Sequence, residues 1–129
     1  MNPQFNEIGT AFANHFYTSF PHHTRANLQS LFNDQSLLTW EGKPSQQFMG
    51  MTNIMTHLVN GPSMNEVQLP PTPTTCDCQP MTNGSILVMC TGDVKIGNDN
   101  ALKFSQSFVL NPNGDGWIIG NTIFKLNYG

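Results

Sequence analysis

Phe5, Ile8, Phe12, Phe16 and Phe20 recur at spacings of three and four. That spacing places them on one stripe of a single helix. Four of the five are aromatic, and one helix face carrying so much ring area must be wrapped by the rest of the chain. Pro21 ends the helix, because proline has no amide hydrogen and clashes with the preceding turn. Whatever follows therefore has to provide a concave apolar surface.

The chain meets that demand in two stages. A short second helix, Arg25 to Leu31, brings Leu28, Leu31 and Phe32 to the same core. Leu37-Leu38-Thr39-Trp40 reads as a strand and Glu41 to Ser45 as a turn. Ser45 is then expected to cap a helix over Gln46 to Leu58, with Phe48, Met51, Ile54, Met55 and Leu58 at helical spacing. Asn60-Gly61-Pro62 stops it. Beyond this the pattern changes. Pro70, Pro71, Pro73 and Pro80 mark an edge strand or an extended connection. Ser85 to Ile96, Lys103 to Leu110 and Trp117 to Leu126 alternate as strands, with turn signals at Gly97–Asn100 and Asn111–Gly116. Helices first and an antiparallel meander afterwards give an α+β chain with helices on one face of a curved sheet.

Composition narrows the function classes. At 129 residues, 1–129 is expected to form one domain. The net charge of -3 gives no basic footprint for nucleic acid. No apolar run is long enough for a membrane helix. The first residues, Met1-Asn2-Pro3-Gln4, lack the basic and apolar regions of a secretory signal. Cys76, Cys78 and Cys90 are an odd set without a metal-site spacing, so reduced thiols at incidental strand or loop positions are expected. No metal or other cofactor is expected.

Specific words in the chain match a family. Phe5-Asn6-Glu7-Ile8-Gly9 and His15-Phe16-Tyr17 open it; Leu38-Thr39-Trp40-Glu41-Gly42 is the strongest local match. Phe48-Met49-Gly50, Asp77-Cys78-Gln79-Pro80, Thr91-Gly92-Asp93, Phe104-Ser105-Gln106-Ser107-Phe108 and Asn121 to Gly129 follow in order. Taken together they resemble the nuclear transport factor 2 family over nearly the whole chain. The resemblance implies a cone in which a bent antiparallel sheet wraps the long helix around a hydrophobic cavity. It implies a homodimer packed sheet to sheet and a nuclear import carrier for Ran in its GDP state. It also implies binding of nucleoporin FxFG repeats, and residence in cytoplasm and nucleus, concentrated at the nuclear pore.

The same resemblance supplies candidate site residues. An aromatic side chain of Ran is expected to enter an apolar mouth lined by Trp40, Phe104 and Phe124, with acids around it. Glu41 follows Trp40 on the strand, so it reaches the rim only if the strand ends there, as Gly42 and Pro44 suggest. The family's second acidic element falls at Gly97-Asn98-Asp99-Asn100, where Asp99 is the surviving acid. Thr122 stands where the family tends to have aspartate. Ile123 and Phe124 cannot both face inward, so one is left for the dimer face. Phe5 takes the place of the family's repeat-binding aromatic; packing in the first turn of the helix explains it equally well.

Two other readings use the same fold. An isomerase or dehydratase would set acid and base groups in the cavity, and Tyr17, His57, Asp77 and His15 are the candidates. No catalytic pair stands at a telling spacing, so no enzyme is expected. A scaffold subunit in mRNA export is the third reading, and Glu41 with Asp99 weighs mildly against it.

Overall fold

The computed structural model describes residues 1–127, so Tyr128 and Gly129, the last two residues of the terminal family word, lie outside it. Helix α1 spans Phe5–Ser19 and buries Ala13, Phe16, Tyr17 and the capping Phe20. Pro21 follows at once, as its chemistry requires. A 3-10 turn over Arg25–Leu31 takes the place of the short second helix.

Strand β1, Leu37–Trp40, is followed by β2, Gln46–Met49, and then by α2, Met51–Asn60. The expected helix from Gln46 is therefore corrected. Gln46 to Met49 pair antiparallel with Trp40 to Leu37 as a hairpin. Gly50, at φ 87°, breaks the strand and its carbonyl starts the helix by accepting Ile54 N–H. Ser45 caps nothing; its hydroxyl bonds Gly42 O. Phe48 still reaches the core, because a strand residue facing inward satisfies the same apolar demand as a helical one.

The remaining strands are β3 (Val67–Gln68), β4 (Thr75–Pro80), β5 (Ile86–Ile96), β6 (Leu102–Asn113) and β7 (Gly116–Asn127). The sheet order is β2-β1-β7-β6-β5-β3, with β4 also on β5. Strands β4 and β3 thus share one edge of β5, β4 along Ile86–Thr91 and β3 along Lys95–Ile96. All pairs are antiparallel except β1 with β7, which run parallel. A bulge between Val109 and Leu110 offsets β6 from β7 and helps the sheet curl. On the concave face Ile86, Val88, Cys90, Val94, Phe104, Phe108, Leu110 and Phe124 close over α1. This is the cone-like α+β arrangement.

Arg25 is fully buried and forms no ion pair among the described residues. Its guanidinium donates to the carbonyls of Phe20, Leu58, Met64 and Val67 at 2.6 to 3.1 Å and lies over the Phe20 ring. It therefore ties the end of α1 to α2 and β3. Burial lowers its pKa to about 10, which leaves it charged at neutral pH.

Candidate functional site

Parallel pairing of β1 with β7 sets Trp40 opposite Phe124. Their rings stack at 4.2 Å and 6°. Phe104, diagonal to Phe124 on β6, stacks on it at 5.3 Å. Tyr17 of α1 lies 5.7 Å from Phe104. On the other side His57 meets Trp40 at 5.4 Å and Phe48 at 4.3 Å. Six rings from six elements thus form one continuous file. The structure brings the candidates Trp40, Phe104 and Phe124 together, and it decides between the neighbours that the sequence left open: Phe124 faces in, while Ile123 is 46% exposed on the outer face. Trp40 is only 8% exposed, so it closes the apolar mouth more than it lines an open one.

His57, offered by the sequence only as a candidate of the enzyme reading, joins this file. It lies in the last turn of α2, buried, with Nε2 unpartnered. Burial lowers its pKa from 6.5, so the neutral ring is the form that packs. Its position at the helix end was legible; its neighbours came from the β1–β2 hairpin, which was not.

The polar side of the file is closed as well. Tyr17 OH donates to Gln106 Oε1 at 2.9 Å, Gln106 Nε2 donates to Thr122 Oγ1 at 3.0 Å, and Thr122 Oγ1 donates to Ser107 O at 2.8 Å. Thr122, where the family tends to have aspartate, therefore completes a satisfied chain. Burial raises the Tyr17 pKa well above its ordinary value, so the hydroxyl stays protonated.

Glu41 departs from its expected setting. Its side chain is 8% exposed, its Oε1 accepts Leu126 N–H at 2.7 Å, and Lys125 Nζ lies 3.6 Å away. The carboxylate prolongs the β1–β7 ladder past the end of β1 instead of standing free on a rim. Asp99 is exposed in the β5–β6 turn. The register places that turn at the same end of the sheet as the ends of β1 and β7. Asp93, on β5, is ion-paired with Lys103 across the strands. A further acid at this end escaped sequence reasoning. Glu66 is exposed; its carbonyl accepts Gly97 N–H, and a Cβ on Gly97 would lie 3.6 Å from its Oε1. A residue thirty-one positions upstream thus puts a carboxylate beside the glycine of the turn. A cleft of 360 Å³ opens next to it, lined by Leu69, Pro70, Val94 and Ala101 among others.

The enzyme candidates are scattered. Tyr17 is bonded in the core, His57 is stacked in the ring file, and Asp77 and His15 point to solvent. Among the described residues no group of His, Cys, Asp or Glu is arranged to hold a metal. Phe5 is half-buried at the start of α1 and packs on the core.

Residues 8–126 match the model of the nuclear transport factor 2 (NTF2) domain. The chain is 39% identical to nuclear transport factor 2 of Eremothecium gossypii, covering 99% of this chain and 98% of that one. It is 38% identical to the Saccharomyces cerevisiae protein of the same name, with the same coverage. The structure of nuclear transport factor 2 from Cryptosporidium parvum superposes with a TM-score of 0.85 at 42% identity, covering 98% of both chains. Yeast UBP3-associated protein BRE5 superposes at 0.78 with 24% identity and covers 96% of this chain and 97% of its own, a likeness that shows the fold alone. This chain belongs to the nuclear transport factor 2 family.

Proposed function

We propose that this chain is a carrier in nuclear import that takes GDP-bound Ran through the pore as a homodimer and performs no catalysis. The observation that carries the reading is the Trp40–Phe124–Phe104 stack at the sheet end that also bears Glu41, Asp99 and Glu66. An apolar ring surface beside carboxylates suits a partner presenting an aromatic residue among lysines. The rings desolvate the aromatic, and the acids set orientation and on-rate. Glu66 supplies the negative charge that Gly97 lacks. Ring entry requires Trp40 to swing or slide, since it closes the mouth in the free protein.

Phe5 at the head of α1 is the proposed contact for nucleoporin FxFG repeats. A half-buried ring offers weak, fast-exchanging contacts, which passage through the pore requires. The homodimer would use the outer sheet face. There Leu87, Met89, Ile123 and Leu37 are exposed, and Met89, Ser107, Ile123 and Thr39 lie in one row across four strands. The working locations are cytoplasm and nucleus, with concentration at the pore. Neither nucleic acid nor membrane is a proposed partner.

Calorimetry with purified Ran tests the reading, once with GDP and once with a GTP analogue. Micromolar or tighter binding restricted to GDP is the expected result. Absence of binding in both states sinks the carrier reading.

A further inference from the structure

The three cysteines, incidental by sequence, converge in space. Strands β4 and β5 form a hairpin closed by Met81 N–H donating to Ser85 O at 2.8 Å. Antiparallel pairs alternate between hydrogen-bonded and non-bonded from that point. Counting back along the register, Gln79–Leu87, Asp77–Met89 and Thr75–Thr91 are bonded pairs. Pro80–Ile86, Cys78–Val88 and Cys76–Cys90 are non-bonded pairs. Pro80 agrees with this count, because a residue without an N–H fits only where the amide faces away from the partner strand. Cys76 and Cys90 are therefore directly opposite at a site where Cα atoms approach to about 4.5 Å, inside the range a disulfide spans.

Both side chains point the right way. Cys90 alternates with the buried Ile86 and Val88 on the concave face and is itself fully buried. Cys76 and Cys78 are the half-buried, inward members of β4. The Cys90 thiol interacts electrostatically with Cys76, its partner across the strands, and lies near Tyr17. Cys78, two residues along the same strand, shares the inward face of Cys76 but lies across from Val88.

We propose that Cys76 and Cys90 are a reversible redox-modification site that a small-molecule disulfide such as oxidised glutathione converts to a cross-strand disulfide. The half-buried Cys76 is the entry point. Its thiolate attacks one sulfur of the glutathione disulfide, forming a mixed disulfide and releasing one glutathione as thiolate. The Cys90 thiolate then attacks the Cys76 sulfur and releases the second glutathione. Two protein thiols are oxidised, one disulfide is reduced to two thiols, and the two protons leave with the glutathiones. Burial pushes Cys78 up to about 11 and Cys90 above its ordinary value, so exchange speeds up as the solution is made more alkaline. The bridge pins the edge strand β4 to β5 beneath α1, beside the Tyr17 end of the ring file. It does not depend on which protein the chain carries.

The test uses the folded wild-type protein incubated with oxidised glutathione. Intact mass, thiol alkylation and peptide mapping are read, with circular dichroism to check the fold. The expected result is loss of two hydrogens, a fall from three alkylatable thiols to one, and Cys78 as the remaining one. Reduced glutathione should restore all three. Cys78→Ser should still form the bridge, and Cys90→Ser should stop at a mixed disulfide. Three free thiols in the wild type would overturn the proposal. So would a Cys76–Cys78 bridge, a stable glutathione adduct on the wild type, or bridging only in protein that has lost its native spectrum.

Discussion

Glu41 makes a structural contact and also stands in the proposed partner site. Its carboxylate accepts a main-chain N–H from β7 and also gives the sheet end its negative charge. The two roles separate by substitution. Glu41→Gln keeps an oxygen for Leu126 N–H but drops the charge. We expect it to cost under about 1 kcal/mol in denaturant unfolding, whereas Glu41→Ala, which strands that N–H, costs about 1–3 kcal/mol. Both should weaken Ran binding by about tenfold or more in calorimetry. Equal, wild-type affinity of the Gln variant would remove Glu41 from the site.

His57 gives a second residue-scale prediction, with a definite sign. Its folded pKa lies below 6.5 because burial penalises the imidazolium. As pH falls through 6.5 the unfolded chain takes up a proton at this residue before the folded chain does. The contribution is therefore fully present above that value and lost as the solution acidifies. His57→Phe keeps a ring between Trp40 and Phe48 and has nothing to protonate. Melting temperatures followed from about pH 7.5 down to about pH 5 should fall more for the wild type than for this variant. Parallel curves would mean that burial does not hold the folded pKa of His57 below that of the unfolded chain.

At the scale of elements, the helical layer and the sheet edge are joined through Arg25. Four carbonyls, from the cap of α1, from α2, from the turn at Met64 and from the start of β3, converge on one planar guanidinium. Arg25→Met fills much of the space but leaves those acceptors dry. We expect a loss of about 3 kcal/mol or more in chemical denaturation. Arg25→Lys should recover little, because an ammonium presents three donors at one point and not a spread fork. A near-neutral Arg25→Met would mean that water replaces the fork. The β1–β2 hairpin is the other element-scale lesson. Phe48, Met51, Ile54 and Leu58 satisfy helical spacing, yet the first of them lies in a strand. Periodicity records which residues face the core; it does not record that Gly50 interrupts the helix and that β1 offers Gln46–Met49 a free edge.

At the scale of the whole molecule, the proposed homodimer rests on the outer sheet face. Met89 and Ile123 are 47% and 46% exposed in the monomer and stand in one cross-strand row. Ile123→Lys and Met89→Glu should each shift the dimer to monomer in sedimentation and raise the dimer Kd by about a hundredfold, with circular dichroism unchanged. Neither side chain enters the core, so an undisturbed dimer would place the interface elsewhere. A monomer that still binds Ran with full affinity would separate cargo recognition from assembly.

By itself the sequence determined the aromatic helix, its stop at Pro21, the three long strands and the α+β class, because these follow from local spacing and proline chemistry. It also carried Trp40, Phe104 and Phe124 through the family resemblance. Only the tertiary structure decided which distant groups meet. Parallel pairing of β1 with β7 stacked Trp40 on Phe124 and buried the Glu41 side chain, and the curl of the chain brought Glu66 to Gly97 and Cys76 to Cys90. Those contacts depend on register and long-range pairing, which a single residue's neighbours in sequence do not encode.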